Sequence, residues 1–319
     1  MHIFSERRSI PYNNTGKSFT IFLKRQRVSA IVCLLLFLGA CCLIYPFLGN
    51  AINEMTNTKA IHTYKEILKG YKDEDIEVIE DEARKYNEEL AHIGDIRESR
   101  SILQNYKSIL NVDDEGMMGS VHIPSIHVNL AIYHGFDNAI LDRACGHLEG
   151  TSFPIGGPST HSVISAHRGL PSAKLFTDLD ELVIGDTFSI EVLNHILYYE
   201  VDQIRVVNPD DDSALAIIPE EDYVTLLTCT PYGINTHRLL VRGHRCDNPY
   251  GNFDNIKNEA FWLDPWLICL ILGISILTFI IIWVITRYKQ FQDIDPDLLD
   301  ELERQWVVEK AGEYNIEPV

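Results

Sequence analysis

The sequence predicts a mainly β domain, a barrel or sandwich, with a helical segment ahead of it and a membrane-crossing helix on either side. Three observations carry that expectation. Residues 29–48, SAIVCLLLFLGACCLIYPFL, and residues 267–285, LICLILGISILTFIIIWVI, contain no charged side chain. Each is long enough to cross a hydrocarbon core about 30 Å thick as a helix. Residues 51–91 space apolar positions three and four apart among dense charges, the period of an amphipathic helix. From Met118 the texture changes to short runs such as HSVISAH, DTFSIEVL, ILYYEVDQIRVV and YVTLLTC, separated by Gly, Pro, Asn and Asp. Short strands without helical alternation, over about 130 residues, argue an all-β barrel or sandwich.

The elements follow in chain order. Residues 1–28 carry Arg7, Arg8, Lys17, Lys24, Arg25 and Arg27 against Glu6, and Arg287 and Lys289 follow the second apolar run. Basic flanks mark the cytoplasmic side, so both ends are expected inside and residues 50–264 outside. The first run, 29–50, is read as a span. A signal peptide cut near Asn50 is the alternative, but a signal core is only about 7–15 residues long. Residues 51–115 form a helical and lid-like region, and residues 116–248 the β domain. Within it, LNHI around Asn194 reads as a tight hairpin turn, SAKLFTDLDEL (172–182) as one short helix and DNAILDRACG as helix-like. A linker (249–265), the second span (266–286) and an acidic cytoplasmic tail (287–319) complete the chain. The tail holds one amphipathic stretch, PDLLDELERQWVVEKA.

Acidic residues outnumber basic ones 46 to 27, a net charge of −19. That disfavours nucleic acid as a partner, because phosphate binding needs a basic surface. The acidic run NPDDDS lacks the ligand spacing of a calcium loop and reads as a solvated turn. Of seven cysteines, Cys33, Cys41, Cys42 and Cys269 lie in the apolar runs, where cysteine acts as a small hydrophobe. Cys145, Cys229 and Cys246 are external, an odd number that leaves at least one thiol without an internal partner.

Cys229 ends a strand-like run, and Arg238 opens the next one after a turn-rich loop. A cysteine becomes a nucleophile as thiolate beside a base or cation. His167 ends the run HSVISAH and enters the loop RGLPS, where a barrel rim presents functional side chains. His161 starts the same run and belongs at its far end, and His237 shares the loop exit with Arg238. Cys145 follows helix-like sequence, and its lone Cys-x-His spacing is a weak signal. Arg238 is a fixed cation suited to a carbonyl oxygen or developing oxyanion, or else an exposed strand residue paired with a carboxylate.

These motifs carry a resemblance. TLLTC followed by arginine, an upstream SAHRG, and the stretches HLEGTSFPIGG, GDTFSIEVL, YEVDQIRVVNPD and TLLTCTPYGINTHRLLVRGHR resemble sortases, in particular the pilin-polymerising class C branch, over about residues 116–246. The resemblance implies a closed eight-stranded barrel, Cys229 as nucleophile, His167 as the catalytic histidine, Arg238 as the catalytic arginine and Thr228 as a substrate and oxyanion contact. It implies a transpeptidase that cleaves an LPxTG-like signal between Thr and Gly on secreted surface proteins or pilin subunits. An amine then takes the acyl group, a pilin lysine in polymerisation or a cross-bridge amine in cell-wall anchoring. Water as acceptor would make it a peptidase, and a membrane-tethered binding domain is the non-enzymatic alternative. No metal or cofactor is required by this chemistry. Two departures stand out: Ala166 replaces the glycine of SGHRG, and residues 92–113 lack the Asp-Pro-aromatic lid. Asp95 and Ile96 are the lid candidates there, Asp95 reaching for Arg238 and Ile96 for Cys229, which implies a weak or mobile lid. The DPW at Asp264–Trp266 reads as an interfacial anchor.

Overall fold

A computed structural model of the chain describes residues 15–249 apart from 103, 104 and 114, short helical stretches within 272–283, and single helical positions at 301 and 305. The linker expected at 249–265, most of the second span and most of the tail lie outside the described residues. Two units divide the chain: Ala40–Trp262, and Met1–Gly39 with Leu263–Val319. Among the described residues, no helix is long and apolar enough to cross a membrane.

The first unit holds the β domain. Eight strands close into a barrel in the order β1-β2-β3-β4-β7-β8-β6-β5: β1 (Met117–Ile123), β2 (Val128–His134), β3 (Cys145–His147), β4 (Thr160–Ser165), β5 (Thr187–Val192), β6 (His195–Val207), β7 (Asp222–Thr230) and β8 (His237–Cys246). Inward residues such as Val121, Ile132, Ile164, Phe188, Tyr199, Leu226 and Val241 are almost wholly buried. The tight turn expected around Asn194 is present, with Val192 paired to His195 across β5 and β6. Two neighbouring pairs are parallel, β2 with β3 and β4 with β7.

Helix α1 spans Thr15–Leu68, and α2 (Asp73–Ile93) ends at Gly94 in the left-handed region, which glycine enters without strain. The helical reading of residues 51–91 therefore holds, with a break at residues 69–72. Both helices are tied to the barrel by buried amides. The Asn57 carboxamide donates to Arg143 O at 2.8 Å and accepts from Ala131 N at 3.0 Å. That of Asn87 donates to Phe153 O at 3.2 Å and accepts from Phe153 N at 2.7 Å. Under α2, the Tyr86, Tyr106, His147 and Phe153 rings pack together, with His147 and Phe153 stacked at 5.5 Å.

Helix α3 (Ile96–Ile102) and the single turn α4 (Asn138–Leu141) complete the fold. The helix expected over 172–182 is only a 3-10 turn at Leu179–Glu181. Its backbone donors are taken by other parts of the chain: Lys174 N donates to Asn50 Oδ1 at 2.8 Å and Phe176 N to His167 O at 3.2 Å.

Tyr64 tests the attachment of α1. Its hydroxyl donates to Met118 O at 3.0 Å and accepts from Leu193 N at 3.2 Å, in a buried setting. Tyr64→Phe leaves both backbone groups without that partner and is expected to lower the unfolding free energy by about 1–3 kcal/mol. Urea denaturation of the two proteins measures the difference.

Candidate active site

Cys229 is the penultimate residue of β7 and Arg238 the second residue of β8, and the two are directly opposed across the antiparallel ladder. Opposed residues point to the same face with Cβ atoms about 5 Å apart. The parallel ladder of β4 and β7 pairs Ser165 with Leu227. One further bond, Ala166 N to Leu227 O at 3.2 Å, extends it. His167 lies two residues beyond Ser165 and Cys229 two residues beyond Leu227, so imidazole and thiol emerge at the same end. The structure thus gathers all three residues that the sequence singled out.

Cys229 is a half-buried free thiol. The Arg238 guanidinium donates from Nη1 to the carbonyls of His237 and Asn235 at 3.2 and 3.4 Å. Its Nε and Nη2 have no partner among the described residues and remain able to donate to a substrate. His167 Nε2 lies 3.7 Å from Asp142 Oδ1. Thr228 alternates inward. It is 1% exposed and opposes Leu239, and its hydroxyl donates to Ala166 O at 2.8 Å. That side chain braces the residue before His167.

The lid expectation needs correction. Asp95 accepts the backbone N–H groups of Arg97 and Glu98 at 2.8 Å each, and these bonds hold its carboxyl below the ordinary range. It caps α3 and does not pair with Arg238. Ile96 packs against the Val163, Leu215 and Leu240 patch. Asp95 and Ile96 line a small cavity with His161, Leu215 and Ala216. Tyr223, the partner of His161, precedes Cys229 by six residues (229 − 223), about 20 Å of strand. The segment is strapped down: Arg97 pairs with Asp212 at 3.4 Å and bonds Asp210 O at 3.3 Å, Ser99 Oγ bonds Gly150 O at 3.2 Å, and Arg100 Nε bonds Glu149 O at 2.5 Å. The acidic run at 208–213 is thus a turn that anchors α3, with Asp211 accepting from Ser213.

The rival groups have other roles. Cys145 is buried in β3, and burial pushes its thiol up. His237 is exposed and bonds Thr236 at 2.9 Å. His161 is buried between Ala216 O at 2.9 Å and Thr225 Oγ1 at 2.7 Å, and burial lowers it to about 4. His147 is lowered by burial to about 3. Sequence reasoning missed two neighbours of the site. Asp142 sits in helix-like sequence with no local signal. Arg168, adjacent to His167, bonds Thr230 Oγ1 at 3.4 Å and pairs with Asp180.

A thiol, an imidazole and a guanidinium on adjoining strand ends are groups able to carry out thiol-dependent acyl transfer. The sortase domain family profile matches residues 121–246. Sortase C1 from Streptococcus agalactiae superposes with a TM-score of 0.56 at 46% identity, covering 60% of this chain and 99% of that one. Sortase C of Clostridium perfringens, solved with the C-terminal cell wall sorting motif, gives 0.53 at 43% identity over 60% and 100%. Sortase D of Bacillus subtilis (strain 168) is 28% identical over 130 residues, 40% of this chain and 63% of that protein's length. The chain belongs to the sortase family of cysteine transpeptidases, in its class C branch.

Two measurements check this assignment of roles. Iodoacetamide at neutral pH is expected to label Cys229 in the native protein and Cys145 only after unfolding, as read by peptide mass spectrometry. The buried histidines set an acid limit. An unfolded histidine titrates near 6.5, above the native values of His161 and His147. The unfolded state therefore binds more protons below that pH, and stability is lost as pH falls from about 6.5 toward 4. Urea unfolding between pH 6.5 and 5 should show a loss approaching about 1.4 kcal/mol per unit for each histidine, reduced in His161→Gln.

Proposed function

We propose that the chain is a membrane-anchored sortase that cleaves an LPxTG-like signal between Thr and Gly and joins the threonyl acyl group to a pilin lysine, polymerising pili. The observation that carries this reading is the register that brings His167, Cys229 and Arg238 to one end of three adjoining strands. The class C relatives support the polymerising outcome, and the Clostridium perfringens sortase C structure with the C-terminal cell wall sorting motif supports the substrate class.

The Cys229 thiolate attacks the threonine carbonyl. The Arg238 Nε and Nη2 donors face the substrate backbone and the oxyanion of the tetrahedral intermediate. His167 protonates the glycine amine as the C–N bond breaks, leaving a thioester on Cys229. A lysine amine then attacks the thioester to form an isopeptide bond. The membrane reading rests on the two charge-free runs and their basic flanks. It is supported by the exposure of Leu34, Leu35, Phe37 and Leu38 on α1 and of Ile276, Ile280 and Trp283. Anchoring beside membrane-held substrates raises their effective concentration.

Incubating the protein with a labelled LPxTG peptide and a lysine-bearing pilin domain, then mapping the new bond by mass spectrometry, tests the reading. Cys229→Ala should form no thioester. His167→Ala and Arg238→Ala should each lose about 10²–10⁴-fold in turnover. With a cross-bridge peptide added in competition, a product joined only to that peptide would reassign the enzyme to anchoring. Protease treatment of intact cells should remove the β domain and spare residues 1–28 and 287–319. Digestion of either terminus from outside would refute the two-pass topology.

A further inference from the structure

Asp142 closes the single turn α4, where its backbone N–H donates to Asn138 O. Its carboxylate faces His167, with Oδ1 3.7 Å from Nε2. That separation exceeds hydrogen-bond range, so Asp142 does not lock the imidazole as an orienting carboxylate would. The side chain is 62% exposed. Among the described residues no lysine or arginine pairs with it. Carboxylates in the loop that follows His167 are engaged: Asp180 with Arg168, and Asp178 with Lys174 at 2.7 Å. Arg143, next in the chain, stacks over Tyr133 at 4.9 Å. A carboxylate at a helix C-terminus also opposes the helix dipole, so the position does not favour the α4 turn itself. An open anionic oxygen beside the site's imidazole suits a group that arrives as a cation and must surrender a proton there.

We propose that Asp142 is the specificity residue that receives the incoming acceptor as an ammonium and holds it against His167. The inference rests on the transpeptidase reading with an alkylamine acceptor. After thioester formation His167 is neutral, having given its proton to the departing glycine amine. The acceptor docks on Asp142 as R–NH3+, and one ammonium proton passes to His167. The freed nitrogen lone pair forms the C–N bond to the thioester carbonyl. The C–S bond breaks with its electron pair going to Cys229 Sγ, and the second nitrogen proton passes to that sulfur. The amide, a thiol and an imidazolium result, with the charge of the ammonium conserved on His167.

The test partitions one thioester between two nucleophiles. Full-length protein is acylated with an LPxTG peptide in the presence of Nα-acetyl-lysine amide, cationic at neutral pH, and hydroxylamine, which is mostly uncharged there. Both products are quantified together. In Asp142→Asn the ratio of lysine to hydroxylamine product should fall about fivefold, the scale of an exposed ion pair. The wild-type ratio should decline with added salt while that of the variant stays flat. An unchanged ratio in the variant, whatever the absolute rate, overturns the proposal and leaves the transpeptidase reading intact. Failure of the wild type to form a Cys229 thioester removes both.

Discussion

The parallel pairing of β4 with β7 is the constraint on which the site depends. Parallel neighbours cannot be joined by a tight turn, so the chain leaves β4 at Ser165, builds β5 and β6, and re-enters in the same direction as β7. Both strands then finish at one rim, and the side chains just beyond Ser165 and Leu227 emerge together. Antiparallel β8 returns through residues 231–236 and sets Arg238 opposite Cys229. A slip of one residue in β7 would exchange Cys229 with the inward Thr228, because strand side chains alternate faces. The buried Leu226 and Thr228, and the Thr228–Ala166 bond, oppose that slip.

The helices solve a separate problem. A barrel of short strands leaves backbone groups unpaired where β3 and the 148–159 loop interrupt the ladder. Asn57 and Asn87 each use both ends of a carboxamide on main-chain groups in these regions, as a neighbouring strand would. Because burial without a partner is costly for an amide, these contacts fix where α1 and α2 lie, and the aromatic cluster of Tyr86, Tyr106 and Phe153 fills the space beneath.

What the sequence made legible was what depends on local pattern. The strands follow from alternation and turn residues, and the facing of Cys229 and Arg238 follows from their places at the ends of successive runs. His167 was legible as a strand-end residue entering a Gly/Pro loop. The position of α3 was not, because its anchors Asp212, Gly150 and Glu149 lie far along the chain from Arg97, Ser99 and Arg100. The same holds for 172–182, where helical spacing is overruled by donors drawn to Asn50 and His167 O. Thr228 was named on the resemblance alone, and its inward side chain, bonded to Ala166 O, follows from the opposite facing of adjacent strand residues.

The ladder ends before His167, so something else must hold the imidazole loop against the thiol strand. Arg168 does this. Its side chain is 8% exposed, bonds Thr230, pairs with Asp180 and lies 5.9 Å from the centre of the Tyr232 ring. It thereby touches the residue after Cys229 while being the residue after His167. Burying a charge carries a desolvation cost that pairing only offsets, so the value of this contact is geometric rather than energetic. Gly169 completes the arrangement. At φ +77° a side chain would be strained there, and a Cβ would stand 3.1 Å from the Tyr232 ring. Glycine therefore lets the tyrosine close over the loop, and with Phe176 N on the His167 carbonyl the backbone around the imidazole is held from both sides.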